Sequence, residues 1–132
     1  MRTIAGDDPV AVGVVAAMQG GDIPKLRRLL AENDGLALVF IAGEGGSGRS
    51  LLHIATDWPG HFPNGVEVAG VLVEAGADVN ACFVGRHTET PLHWAASSDD
   101  VAVLDLLLDA GTDIEARGGC IGDGTPLMHP PR

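Results

Sequence analysis

Apolar residues recur along much of this chain at the spacing of one helix face. Val101, Leu104, Leu107 and Leu108 fall on one side of a helix. Ser98 or Asp99 is placed to cap its start, and Gly111 stands where a helix stops. Residues 66–75 carry the same pattern, stopped by Gly76. Near the N-terminus, Asp8 suits an N-cap and Pro9 the first helical position, which predicts a helix over 9–20. Asp22 then caps a second helix over 23–32, with Leu26, Leu29 and Leu30 on one face and Asn33-Asp34-Gly35 closing it. Short helices following one another in pairs predict an all-α chain of helix–turn–helix units.

The pattern also repeats. Thr90-Pro91-Leu92-His93-Trp94-Ala95 is a full T-P-L-H-x-A, and Thr125-Pro126-Leu127 begins another copy 35 residues later. Ala75-Gly76-Ala77-Asp78-Val79-Asn80-Ala81 returns as Ala110-Gly111-Thr112-Asp113-Ile114-Glu115-Ala116, again 35 apart. Leu52-His53-Ile54-Ala55 precedes Leu92-His93-Trp94-Ala95 by 40. Three landmarks in one order resemble the ankyrin-repeat family over most of the chain, in the manner of a short, bacterial-type member. The resemblance implies a solenoid of helix–turn–helix repeats joined by β-hairpin-like loops. It divides a single domain, 1–132, into repeats at about 9–47, 48–86 and 87–121, with a truncated fourth at 122–132.

Residues 38–50 compete for another meaning. An apolar run from Leu38 leads into Gly43, then Gly48-Arg49-Ser50, close to the strand–G-x-x-x-x-G-K-[ST]–helix of a phosphate cradle. Such a cradle needs a parallel sheet and a long helix. Here Trp58-Pro59-Gly60 breaks the helix early, no later strand–helix alternation follows, and Arg49 replaces the lysine. Ser50 also lies on the repeat register. The glycines are therefore expected to turn a hairpin where positive φ is wanted, with residues 38–41 packed beneath it.

Charge narrows the partners. Eight basic residues against eighteen acidic ones leave a net charge of −10. A surface so negative repels phosphate backbones, so nucleic acid is not an expected partner. No apolar run approaches the ~18 residues of a membrane span. Asp7 and Asp8 stand where a secretion signal carries positive charge, so a cytoplasmic location is expected. Cys82 and Cys120 lack C-x-x-C spacing and are expected to be free thiols.

Candidate chemistry is sparse. His53, His61, His87, His93 and His129 show no H-x-x-x-H or H-E-x-x-H spacing, and neither a metal nor a cofactor is expected. The resemblance implies that His53 and His93 tie adjacent loops together. No serine sits in a nucleophile elbow. The insertion is more distinctive: 23 positions separate Leu52 from Ala75, against 18 between Leu92 and Ala110. Trp58, His61 and Phe62 lie in it, either as a contact site or folded back over the helix pair, the second being favoured. In the family the hairpin tips and first helices line a groove for a protein partner. Residue by residue, that points to Arg49, Arg86, His87, Glu89, Ser97, Ser98 and Asp99. The expected function is non-catalytic binding of another protein. The alternative is an enzyme or small-molecule binder built on the 58–62 loop. At the C-terminus, Pro130-Pro131 cannot continue a helix, so an apolar face including some of Trp94, Leu104, Leu107 and Leu108 is expected to lie uncovered. That leaves two outcomes: the chain is a piece of a longer repeat protein, or two copies pack as a homodimer through this end.

Overall fold

The computed structural model describes residues 2–57, 61–84 and 89–111. Within them, the apolar faces found in the sequence become the inner sides of three helix pairs. Helix α1 (Pro9–Gly20) and helix α2 (Ile23–Glu32) have the bounds that the sequence predicts. The Asp8 carboxylate accepts the Val10 N–H at 2.9 Å and that of Asp22 accepts the Lys25 N–H at 3.2 Å. Each satisfies a donor that a helix start otherwise leaves orphaned. The second pair is α3 (Leu51–Thr56) with α4 (Gly65–Glu74), and the third α5 (Pro91–Ser97) with α6 (Val101–Asp109).

The first helices stack in the order α1, α3, α5 and the second helices in the order α2, α4, α6. One apolar cluster runs through all three pairs, from Val14 and Leu26 through Leu52, Ile54 and Leu72 to Leu92 and Leu107. Ala11, Ala69 and Ala95 are buried in it, and their small side chains let neighbouring helices approach closely. The architecture is the helical solenoid expected. Among the described residues, no helix is long and apolar enough to cross a membrane.

Two details of α6 depart from the sequence pattern. The start of α6 is capped neither by Ser98 nor by Asp99. Asp99 adopts a left-handed φ of 56° and Asp100 takes the N-cap position. The inward residues of α6 are therefore Val103 and Leu107, one turn apart, while Val101 is 56% exposed in the first turn. Of the face expected to be uncovered, Trp94 and Leu107 are buried, and Leu104 and Leu108 are half-buried.

The glycine-rich segment is a hairpin, as expected. Strands β2 (Phe40–Ala42) and β3 (Gly48–Ser50) pair antiparallel, with Phe40 opposite Ser50 and Ala42 opposite Gly48. The Gly43 N–H closes the turn on the Ser47 carbonyl at 2.9 Å. Gly45 and Gly46 take φ values of 64° and 77°, a region that side chains resist. Val39, Phe40 and Ile41 are buried, but Leu38 is 55% exposed and does not pack beneath the hairpin. It ends a tight 3-10 turn, Leu36–Leu38, in which Leu36 and Ala37 take the inward places. A strand that the helical pattern did not reveal, β1 (Thr3–Ile4), lies parallel to β2, Thr3 opposite Phe40 and Ile4 opposite Ile41. The sheet order is β1-β2-β3. Trp58, Arg86, His87, Cys120, His129 and the truncated fourth copy at 122–132 lie outside the described residues.

Candidate functional site

The buried polar groups of the chain gather where one repeat's loop meets the next repeat's first helix. Ser50 caps α3 by accepting the His53 N–H on its hydroxyl oxygen at 3.2 Å. The His53 ring folds back, and its Nδ1 lies 2.7 Å from Ser50 Oγ and 3.3 Å from Ser50 N. On its far side Nε2 is 2.7 Å from the Glu89 carbonyl. A carbonyl can only accept, so Nε2 carries the proton and Nδ1 accepts from the Ser50 hydroxyl and N–H. The imidazole thus bridges its own helix start to the next loop. Burial above all, then the charge of Arg49 and the proximity of His93, lowers its pKa from 6.5 to about 3.

The same bracket recurs 40 residues on. The Thr90 N–H donates to His93 Nδ1 at 2.9 Å, and Thr90 Oγ1 lies 2.8 Å from the same atom. Trp94 packs edge-on against His53 with ring centroids 4.9 Å apart, and tilted against Phe83 at 5.3 Å. This aromatic cluster packs over the His53 ring, which is fully buried. A serine hydroxyl on an imidazole resembles the start of a catalytic dyad, but Ser50 and His53 are both buried. The ring's second nitrogen is spent on Glu89. The pair holds a loop in place.

The insertion between α3 and α4 is tethered on both sides. His61 donates its N–H to an Asp100 carboxylate oxygen at 3.1 Å and its Nε2–H to the Ser98 carbonyl at 3.0 Å. Asn64 donates its side-chain N–H to the Gly21 carbonyl at 3.0 Å. Ser98 donates its hydroxyl to the Thr56 carbonyl at 3.3 Å. His61 and Asn64 hold φ values of 57° and 54°, backbone strain that these bonds sustain. The turn of the second pair is thereby bound to the turns of the first and third. Phe62 is half-buried.

The other candidates scatter. Arg49 lies on β3 and makes an ion pair with Asp57, just past α3, at 2.8 Å, both side chains being about a third exposed. Glu89 is buried, Ser97 and Ser98 are half-buried, and Asp99 is exposed. The sequence offers no functional reading for Asp57 or Phe83, and its reading of Asp99-Asp100 as a cap and a solvated charge pair does not fit Asp100, which is buried. Each of the three acts through a partner at least eight residues away, which leaves no local signature. Cys82, expected to be a free thiol, is disulfide-bonded. Among the described residues, no group of three or more His, Cys, Asp or Glu side chains is placed to hold a metal.

A family model described as ankyrin repeats, in three copies, matches residues 14–118. The chain is 48% identical over 48 residues to an ankyrin repeat and LEM domain-containing protein 1 homolog of Caenorhabditis elegans, covering 36% of this chain and 6% of that protein. It is 36% identical over 80 residues to protein fem-1 homolog C of Danio rerio, covering 54% of this chain and 13% of the relative. It is 35% identical over 81 residues to palmitoyltransferase AKR1 of Candida albicans, covering 61% and 9%. The chain therefore spans only a small part of the length of the relatives it matches.

Proposed function

We propose that this chain, which belongs to the ankyrin-repeat family, is a non-catalytic module that binds another protein through its hairpin end and first helices. Ankyrin repeats are in general protein-interaction modules, and a stacked array offers an extended surface rather than a closed pocket. One observation carries the proposal: the groups that look reactive, Ser50 and His53, are consumed in holding the loops together. Of the candidate contacts, Arg49 with its partner Asp57, Ser97, Ser98 and Asp99 are at least partly exposed, and these are the proposed contacts. Arg86 and His87 join them on sequence grounds, and buried Glu89 does not. His61 and Phe62 are assigned to the tethered turn, since both polar groups of His61 named above are already bonded to the third pair, and Trp58 stays among the candidate contacts on sequence grounds. No cofactor, metal, nucleic acid or membrane enters the proposal.

The test is capture of proteins from the native host's lysate on the immobilised chain, repeated with Ser97→Arg and Asp99→Arg. The expected result is a protein retained by the wild type and lost with the variants. Capture that ignores both substitutions overturns the proposed surface, and the absence of any retained protein overturns the function. Pairing of two copies at the α6 end belongs to the same proposal, supported by exposed Val101 and half-buried Leu104 and Leu108. A mass that stays monomeric in light scattering across a wide concentration range removes it. A cytoplasmic location is also proposed, and the disulfide at Cys82 weighs against it. Labelling of thiols in chain taken directly from cells decides: a blocked Cys82 overturns a reducing compartment.

A further inference from the structure

Leu38 is an apolar side chain that the sequence assigns to the core and the structure leaves more than half exposed. It lines a cleft of about 500 Å³ between the first hairpin and the loop that follows α4. Phe40 and Leu38 supply apolar wall from the hairpin side, and Ala81 and Val84 from the loop side. The walls are fixed to each other. Gly48 and Val84 exchange backbone hydrogen bonds of 2.8 and 2.9 Å, and Ala81 donates its N–H to the Asp78 carbonyl at 3.1 Å. The cleft is therefore preformed, and its size is within the ~300–1,000 Å³ of ordinary ligand sites.

Its chemistry is one-sided. Among the described residues of the lining, exposed Asp78 is the one that carries a charge. The Ser50 hydroxyl, which also lines the cleft, is spent on His53. Among these described residues an anion or a small polar metabolite finds no cation to meet it. We propose that this cleft is a second contact for the protein partner, taking one apolar side chain from a basic segment whose neighbouring lysine or arginine lies against Asp78. The occupant follows from charge and shape together. Eighteen acidic residues against eight basic ones draw a cationic chain toward the surface, an anchor side chain seated in a preformed pocket carries most of the energy of an interface, and a charge beside it favours a partner of opposite sign. The inference rests on the chain being a protein-binding module.

Nuclear magnetic resonance titration of the full chain tests it, with three short acetylated peptides as probes. One carries leucine between lysines, the second alanine in place of leucine, and the third glutamates in place of lysines. The first should shift the methyl signals of Leu38 and Val84, and the alanine peptide should bind roughly ten- to a hundredfold more weakly. Asp78→Asn keeps an oxygen for the Asn80 N–H, now held at 2.9 Å. It should weaken binding about two- to fivefold and flatten the salt dependence. Leu38→Ser, at an exposed position, should abolish the shifts while leaving the rest of the spectrum in place. Unmoved Leu38 and Val84 signals, or equal shifts with the glutamate peptide, overturn the cleft. If the cleft is silent while lysate capture through Ser97 and Asp99 stands, only this inference fails. If lysate capture fails, the module itself is overturned.

Discussion

The second and third first-helices begin with different sequences and the same hydrogen bonds. The third opens with Thr90-Pro91-Leu92-His93, and the second with Ser50-Leu51-Leu52-His53. Threonine and proline are both missing from the second, yet its hydroxyl lies 2.7 Å from the imidazole against 2.8 Å in the third. What the site needs is an oxygen that can cap a helix and donate to Nδ1, and serine does both. Proline only pre-sets a backbone angle at a position whose N–H has no helical partner. The imidazole of the degenerate copy reaches the following loop, at the Glu89 carbonyl. Departure from the repeat motif at two positions therefore left the bracket intact, because hydrogen-bond geometry and not residue identity is what the fold requires.

The largest effect expected from breaking this comparison comes from His53→Ala. It strands the Ser50 hydroxyl, the Ser50 N–H and the Glu89 carbonyl in a buried site, which should cost roughly 3–5 kcal/mol. His93→Ala should cost roughly 1–3 kcal/mol, and denaturant midpoints of the two variants compare them directly. A smaller loss at His53 than at His93 would show that the degenerate bracket is a weak copy. The second effect is acid sensitivity. The folded pKa of His53, about 3, lies below the unfolded value, so the unfolded chain binds the extra proton in between. Stability from this group is complete above about pH 6.5 and falls with pH toward 3, by at most about 1.4 kcal/mol per unit. Unfolding curves at pH 7, 5.5 and 4 should show the slope, and His53→Gln should flatten it.

Ser50 offers a finer cut. Ser50→Ala removes the cap and should cost about 1 kcal/mol, whereas Ser50→Thr, which restores the residue of the third repeat, should change stability by less than about 0.5 kcal/mol. A large loss with threonine would mean that the two brackets are not equivalent. Arg49→Ala is the smallest change. Its partly exposed pair with Asp57 is worth about 0.2–1 kcal/mol. Because the Arg49 charge helps lower the His53 pKa, the variant should also shallow the acid slope, a second readout in the same curves.

Much of the frame was legible along the chain. Asp8 with Pro9, and Asp22 before Ile23, announce helix starts that the structure confirms to the residue, because a cap acts within three residues of itself. The glycine run at 43–48 announced its turn for the same reason. The site was less legible. The sequence offers Ser98 or Asp99 as the cap of α6, but Asp99 takes a left-handed φ and the place falls to Asp100, whose carboxylate accepts from His61 across 39 residues. The apolar run places Leu38 in the core beside its buried neighbours, and only the 3-10 turn decides that it faces out.

The sequence by itself determined the helices, their caps, the repeat and the hairpin turn, all of which depend on residues a few positions apart. Tertiary structure decided that β1 adds to the hairpin, that His53 grips Glu89, that the 61–64 turn binds its neighbours on both sides, and that two loops enclose a cleft beside Leu38. Those contacts join positions 36 or more apart. Their strength comes from burial and mutual geometry, which exist only once the repeats have stacked, so no local pattern of residues encodes them.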